Sequence, residues 1–308
     1  MPRACGKIPF FFCLCAPLVG AAVLTSVEAS DPCAPMAGTA REAAAGVQSA
    51  IQETFTIASL NIDGNPRLGD TLTGLAQDRR LDMLLLQEVG DRSADGSVFV
   101  ARLGDRLGFH VAYAPADRLD AMHTQGLAIL SRDPLSDVRT YPLERHQLRF
   151  KSRCRIGQAA TVRTTAGPIR LMNVHLDTRI NSRDRLAQLE PLLAALDQVE
   201  GPQIIGGDFN TMDIGWVGSM LPFPYTQHQE SAIRNRLAED GFVTPFVGGR
   251  PTLKLLGLPL RLDWLFLKHI ETLEWSVDTV PGTDHRGVSA RVKLKAQGSA
   301  VQLNQGSS

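Results

Sequence analysis

Six short apolar runs in this chain each carry an acid, an amide or an imidazole at one end. Thr56–Asn61 (TIASLN) ends on Asn61, and Met83–Gln87 (MLLLQ) is followed by Glu88. The run IRLMNVHL carries His175, and QIIGGDFN carries Asp208 and Asn210. Asp263 opens DWLFL, and Asp284-His285 precedes the alternating run VSARVKL. Apolar runs of roughly four to eight residues bounded by turn signals read as strands. Strands of one sheet deliver their ends to a common rim, which is where open α/β sheets place their sites. One polar group at a strand end is ordinarily solvated. Six of them call for a fold that gathers strand ends in one place.

Further strands are expected at Gly126–Leu130 and Ala159–Val162. Amphipathic stretches lie between the runs. Ser97 is placed to cap a helix with Val98, Ala101, Leu103 and Leu107 on one face and Gly108 past its end. From near Ser182, Leu186, Leu189, Leu193 and Leu196 recur at helical spacing, with Pro191 expected to kink the helix or loosen a turn. A third helix, about Glu230–Asp240, stops at Gly241. With 44% hydrophobic residues and no repeat at a solenoid period, residues 55–295 read as one α/β domain. Residues 30–54 form an Ala-rich lead-in, either a short helix or a loose segment. Residues 296–308 are small and polar, and are expected to be a disordered tail.

Arg3 and Lys7 start the chain, Ile8 to Leu24 is apolar, and Val27-Glu28-Ala29 is a small-x-small site. Residues 1–29 therefore read as an export signal cleaved after Ala29, sending the protein to a periplasmic or secreted location with no membrane span left. Cys5, Cys13 and Cys15 leave with it. Cys33 and Cys154 remain and can pair in an oxidising compartment. No CxxC or Cys/His spacing suggests zinc.

The formal net charge is zero, so a polyanion would have to be held by a local patch. Arg149, Lys151, Arg153 and Arg155 alternate along one stretch and would share a face if extended. Such a stripe can grip a phosphate backbone or simply guard a strand edge. Aromatics are only 6%, with Tyr113 and Trp216 as stacking candidates for nucleic acid or as plain core residues. Arg179, Arg183 and Arg185 follow His175 and can face the site, although Arg185 fits an exposed helix face equally well. The apolar stretches MDIGWVGSML (212–221) and LKLLGLPL (253–260) suit a wall for a lipid headgroup, or pack on each other.

Carboxylates and an amide carbonyl are hard oxygen ligands that suit Mg²⁺, Mn²⁺ or Ca²⁺. Two histidines add groups that give or take a proton near neutral pH. Together these groups suit metal-assisted hydrolysis of a phosphoester.

In order, LNIDG, LLLQEV, GLAILSR, NVHLD, GGDFNT, RLDWLF and GTDHRGVSA resemble the endonuclease/exonuclease/phosphatase superfamily, from about Phe55 to Leu294. The resemblance implies a four-layer α/β sandwich: two packed, mainly antiparallel sheets flanked by helices, with the site at one edge. It implies a divalent metal, Mg²⁺ with Mn²⁺ as the alternative, on Glu88, with Asn61 close by and Asp284 available. It places His175 on the scissile phosphate and Asp208 on the attacking water. Asn210 contacts a phosphate oxygen, and Asp263 holds the second histidine, His285. Asp208 and His285 both remain candidates for the base. The implied activity is a metal-dependent phosphodiesterase or nuclease, with nucleic acid as a possible substrate. The alternative is a phospholipid or sugar-phosphate phosphoesterase, and less favoured is a non-catalytic binding protein on the same fold, which would not need every site group intact.

Two positions depart from the family pattern. Some nucleases of the family support the first histidine with a glutamate, but here the matching region reads His123-Thr124-Gln125. Asp177 is the candidate stand-in. Gly287 occupies a position that is often proline.

Overall fold

The computed structural model describes residues 33, 36–42, 51, 53–92, 95–148, 152–224, 227–255 and 258–295. The expected export signal, the expected tail, Arg149 and Lys151 lie outside the described residues. No described helix is long and apolar enough to cross a membrane.

The strands in chain order are β1 (Thr39–Arg41), β2 (Thr54–Asn61), β3 (Met83–Val89), β4 (His110–Arg118), β5 (Thr124–Ser131), β6 (Leu135–Pro142), β7 (Ile156–Thr164) and β8 (Gly167–His175). They continue with β9 (Gln203–Asp208), β10 (Ile214–Val217), β11 (Leu221–Pro224), β12 (Leu253–Leu255), β13 (Leu258–Leu260), β14 (Asp263–Lys268), β15 (Ile270–Thr279) and β16 (Arg286–Leu294). The helices are α1 (Gly69–Asp78), α2 (Gly96–Leu107), α3 (Ser182–Asp197) and α4 (Gln229–Glu239).

One sheet has the order β1-β4-β5-β3-β2-β16-β15, the other β14-β9-β8-β7-β6, and β10–β11 and β12–β13 form two small hairpins. Each large sheet contains one parallel pair, β2 with β3 and β8 with β9. The other pairings in both are antiparallel, so the expected sandwich of mainly antiparallel sheets is what the chain forms.

Alternation along the strands builds the layers. Phe55 and Ile57 of β2, with Met83 and Leu85 of β3, join the core shared with β8, β9 and β14. Ala58 and Leu60, with Leu84 and Leu86, face the other way and pack with Leu72 of α1 and Phe99, Val100 and Leu103 of α2. Strands buried on both faces read as near-continuous apolar runs, as LLL does; in TIASL the buried Ser59 is the polar exception, its hydroxyl accepting from Gln87 Nε2 at 3.1 Å. Leu189, Leu192, Leu193 and Leu196 of α3, with Ile233 and Leu237 of α4, join the core of the second sheet.

Some local expectations are corrected, and two left open, the Cys33–Cys154 pairing and the packing of the two apolar stretches, are decided. Asp95, not Ser97, caps α2: its side chain accepts from the Ser97 backbone N–H. The helix therefore starts before Ser97, and Phe99, Val100 and Leu103 form its buried face while Val98 is exposed. α3 is a single helix on both sides of Pro191. Within the lead-in, Thr39–Arg41 is an edge strand on β4. Cys33 and Cys154 form a disulfide, with Cα atoms 5.3 Å apart. The two apolar stretches form the small hairpins, and Met212, Ile214, Leu253, Leu260 and Leu262 pack into one cluster with Trp216 and Leu258.

Candidate active site

The C-terminal ends of both parallel pairs meet at one edge of the sandwich. In the second sheet, strand register sets a row. His175 at the end of β8 lies opposite Asp208 at the end of β9, and Asp208 lies opposite Asp263 at the start of antiparallel β14. Register partners project to the same side of a sheet. His175 Nε2 is 3.4 Å from Asp208 Oδ2. In the first sheet, Asn61 ends β2 beside Gln87 of β3. Asn61 Nδ2 reaches across, donating to Asp208 Oδ2 at 3.0 Å and Glu88 Oε1 at 3.3 Å.

Glu88 gets there through an irregularity. The β3–β5 register shifts between Leu86 and Val89, and Glu88 has φ +52°. A bulge of this kind re-aims a side chain, bringing Glu88 Oε1 to 3.7 Å from His175 Nε2. Asn210 also sits at positive φ, +51°, the left-handed region that asparagine tolerates better than most side chains. Here its backbone N–H donates to Asp208 Oδ1 at 2.9 Å and its side-chain amide to the Leu176 carbonyl at 2.9 Å.

The two glycines before Asp208 have separate packing reasons. A Cβ on Gly206 would lie 2.5 Å from a Leu265 methyl and 3.0 Å from one of Leu85. A Cβ on Gly207, at φ +142°, would lie 2.0 Å from the Val174 carbonyl oxygen. That oxygen is backbone and has no rotamer escape. Gly207→Ala should therefore lower the urea midpoint and reduce activity more than Gly167→Ala, where nothing lies within 4 Å of the added carbon although φ is also positive. Parallel urea titrations of the two variants check this.

The remaining residues come from the loop before β16. Thr283 Oγ1 donates to the Asn61 carbonyl at 2.8 Å, tying that loop to the end of β2. His285 Nδ1 lies 2.8 Å from Asp263 Oδ2, and its Nε2 is 3.9 Å from both Asp208 Oδ2 and Asp284 Oδ1. Asp284 stands on the rim, largely exposed. The Asp263 backbone is fixed by Thr252, whose hydroxyl accepts from its N–H at 3.1 Å. All eight residues singled out in the sequence thus converge: Asn61, Glu88, His175, Asp208, Asn210, Asp263, Asp284 and His285.

The electrostatics follow from burial and from opposed charges. Burial, and then the neighbouring charge of Asp263, push the Asp208 pKa well above the usual carboxylate range. Burial pushes His285 down, but the charge and hydrogen bond of Asp263, with Asp208 and Asp284, overcome this and lift it to about 10. Burial, and then Arg155, His285 and Arg153, hold His175 well below its ordinary value.

The donor set fits a divalent metal. Asp208, Asp263 and His285 bring ligand atoms within 4.8 Å of one another. His285 Nδ1, however, is already committed to Asp263, so this trio also reads as an Asp–His pair facing Asp208. The Glu88 carboxylate, with the Asn61 amide beside it, offers harder oxygen ligands that suit Mg²⁺ better and leave Asp208 for proton transfer. The buried Asp263 Oδ1 has no hydrogen-bond partner among the described residues and adds a further acceptor.

Other candidates are relocated. Tyr113 is core, its hydroxyl 3.0 Å from Thr124 Oγ1, and is not a stacking residue. Arg185 is fully buried rather than exposed on its helix. Its guanidinium donates to the carbonyls of Asp177, Phe209, Thr178 and Ile180. Asp177 does not take the place of the family's glutamate at His175, because Arg155 stands between them. Arg153 instead bridges Asp117 and Gln125.

Sequence reasoning missed the polar bridge behind the site. Gln87 Nε2 donates to Asn173 Oδ1 at 2.7 Å, and Asn173 Nδ2 donates to the Leu86 and Ala128 carbonyls. This bridge joins the two sheets one layer below Glu88 and His175. Its only signal was one amide inside each of two otherwise apolar runs.

Residues 58–285 match the sequence pattern of the Endonuclease/Exonuclease/phosphatase family. This chain belongs to that family. Its members are metal-dependent phosphoester hydrolases, and this chain is an enzyme of that class. Among solved structures it is similar to an endonuclease/exonuclease/phosphatase protein from Beutenbergia cavernae, with 19% identity and TM-score 0.61, covering 79% of this chain and 72% of that one. It is also similar to a humanized D. rerio TDP2, with 18% identity and TM-score 0.54, covering 79% and 100%. A third is ANGEL2, a 2′,3′-cyclic phosphatase, with 17% identity and TM-score 0.55, covering 79% and 95%. At these identities the likeness concerns the fold. No curated protein matches the sequence significantly.

Proposed function

We propose that this chain is an exported, Mg²⁺-dependent phosphodiesterase of the nuclease type, with Mn²⁺ as an alternative metal. The observation that carries the reading is the in-register row His175–Asp208–Asp263, faced by Glu88 and Asn61 from the other sheet and by His285 from the loop above. A metal held by Glu88, with Asn61 beside it and Asp284 on the rim, would offset charge on the phosphate oxygens.

The protein groups divide the remaining work. Asp208 takes the proton of the attacking water, because its buried carboxylate titrates closer to neutrality than an ordinary acid. His285 donates its Nδ1 proton to Asp263 and aims Nε2 toward the same place. With its raised pKa it carries positive charge that can face a phosphate oxygen. Asn210 is held by Asp208 and Leu176 at the end of the row. A pocket of about 400 Å³ lined by Thr211, Asp213, Ile214, Glu230, Leu258 and Arg261 adjoins this loop. It is large enough for the group esterified to the phosphate.

A second reading rests on one specific feature. Val217, Met220 and Leu221 of the β10–β11 hairpin are exposed beside the loop that follows β9. An apolar outer face there suits a phospholipid substrate. The test is a hydrolysis panel in Mg²⁺, in Mn²⁺ and in chelator. Its substrates are plasmid DNA, RNA, phosphocholine vesicles, a simple phosphodiester, a 2′,3′-cyclic nucleotide and a phosphomonoester. His175→Ala is run alongside. Metal-dependent cleavage of nucleic acid or the simple diester, lost in the variant, is the expected result. Activity confined to vesicles would replace this reading with the lipid one. Silence on every substrate would remove both.

A further inference from the structure

His175 has a cation where a supporting acid was expected. Arg155 Nη1 lies 2.9 Å from His175 Nδ1. A guanidinium has five N–H donors and no acceptor, so in this contact Nδ1 must be the lone-pair nitrogen. A neutral imidazole that accepts at Nδ1 carries its hydrogen on Nε2. His175 Nε2 is buried and has no hydrogen-bond partner among the described residues. It faces the gap between Asp208 Oδ2, at 3.4 Å, and Glu88 Oε1, at 3.7 Å.

Arg155 is itself held in place. Its Nε donates to Asp177 Oδ1 at 3.2 Å, and Gln188 Nε2 donates to the other oxygen of Asp177 at 3.0 Å. Asp177 and Gln188 are buried, and Gln188 belongs to α3 behind the site. The preceding residue, Cys154, is pinned by its disulfide to Cys33 and by its N–H donating to Asp117 Oδ1 at 2.9 Å. The chain Gln188–Asp177–Arg155–His175 therefore ends in one imidazole orientation.

We infer that Arg155 is a positioning residue that fixes His175 as the Nε2–H tautomer, making it a neutral hydrogen-bond donor to a phosphate oxygen. An acidic supporter would instead accept from Nδ1–H and leave Nε2 as the lone-pair nitrogen of a neutral ring. With Arg155 in that place, the imidazole contributes a directed donor, and the fixed positive charge sits one residue behind it. The donor function rests on the phosphodiesterase reading; the tautomer does not.

The first readout is ¹⁵N NMR of the histidine rings in the folded chain, with and without Mg²⁺, the His175 signals being assigned by their loss in His175→Asn. The expected pattern is an unprotonated Nδ1 and a protonated Nε2 in the wild type. Arg155→Met should mix or reverse the tautomers, lower kcat about 10- to 100-fold and change KM less than about threefold. Arg155→Lys keeps a donor and should recover part of kcat along with the wild-type tautomer. A protonated Nδ1 in the wild type overturns the inference, as does an unchanged tautomer or unchanged kcat in a folded Arg155→Met. Should Arg155→Met fail to fold, the wild-type ring pattern decides. The expected ring pattern in a protein silent on every phosphoester would uphold the tautomer and sink the hydrolytic reading.

Discussion

Asp208→Asn is expected to lower turnover by about 10³-fold while raising the melting temperature of the metal-free protein at pH 8. Both effects come from one carboxylate. Asp208 is buried between His175 and Asp263 in the register row, and its pKa is raised by burial and by Asp263. In the unfolded chain it titrates near 3.8. Between that value and the raised folded one, the folded state binds more protons than the unfolded state. Stability therefore falls as pH rises through this window and stays reduced above it. Asparagine has no such penalty. It keeps an acceptor for the Asn210 N–H, and the Asn61 amide can turn to meet a new donor. The stability gap between variant and wild type should be small near pH 4 and full above neutrality. Melting curves in chelator at pH 5 and pH 8, with rates in Mg²⁺, check both halves. A gap that does not depend on pH, or a near-wild-type rate, would remove Asp208 from the role of base.

Arg185→Met should cost about 2–4 kcal/mol of stability and reduce kcat at least about tenfold. Arg185 is a buried cation whose guanidinium holds four carbonyls on two loops. Three of them lie between Asp177 and Ile180, after the His175 strand, and the fourth is Phe209, between Asp208 and Asn210. Burial pushes its pKa down to about 9, so keeping the ion there is costly. Methionine relieves that cost but leaves the carbonyls without donors, and an unsatisfied buried acceptor costs about 1–3 kcal/mol. The second effect wins because four acceptors share one donor group. Arg185→Lys should not restore stability, since an ammonium cannot fork across two loops. Urea titrations of the three proteins, with kcat measured where each is folded, test this. A methionine variant as stable and active as wild type would show that the loops hold themselves.

Much of this could be read from residue order. Continuous or alternating apolar runs marked β2, β3, β5, β7, β8, β9, β14 and β16, because burial on one or both faces dictates side-chain type locally; β4, β6 and β15, more polar or partly exposed, were not marked. Polar groups at the ends of those runs marked the eight site residues, because strand ends sharing a rim need no long-range information to be suspected. Gly108 and Gly241 marked helix ends for the same local reason, a positive φ. Other features depended on partners distant in sequence. The bulge that turns Glu88 inward is a register relation between β3 and β5. The row His175–Asp208–Asp263 exists only once β8, β9 and β14 pair in one register. Arg155 looked like one member of a charged stripe until folding set it between His175 and Asp177. Arg185 fitted either the site or an exposed helix face until two loops closed over it. Chain composition and spacing determine which groups are available and which faces must be buried. Which charges meet is decided by packing, because an arginine's role depends on the acceptors within its reach, and those come from strands and loops tens of residues away.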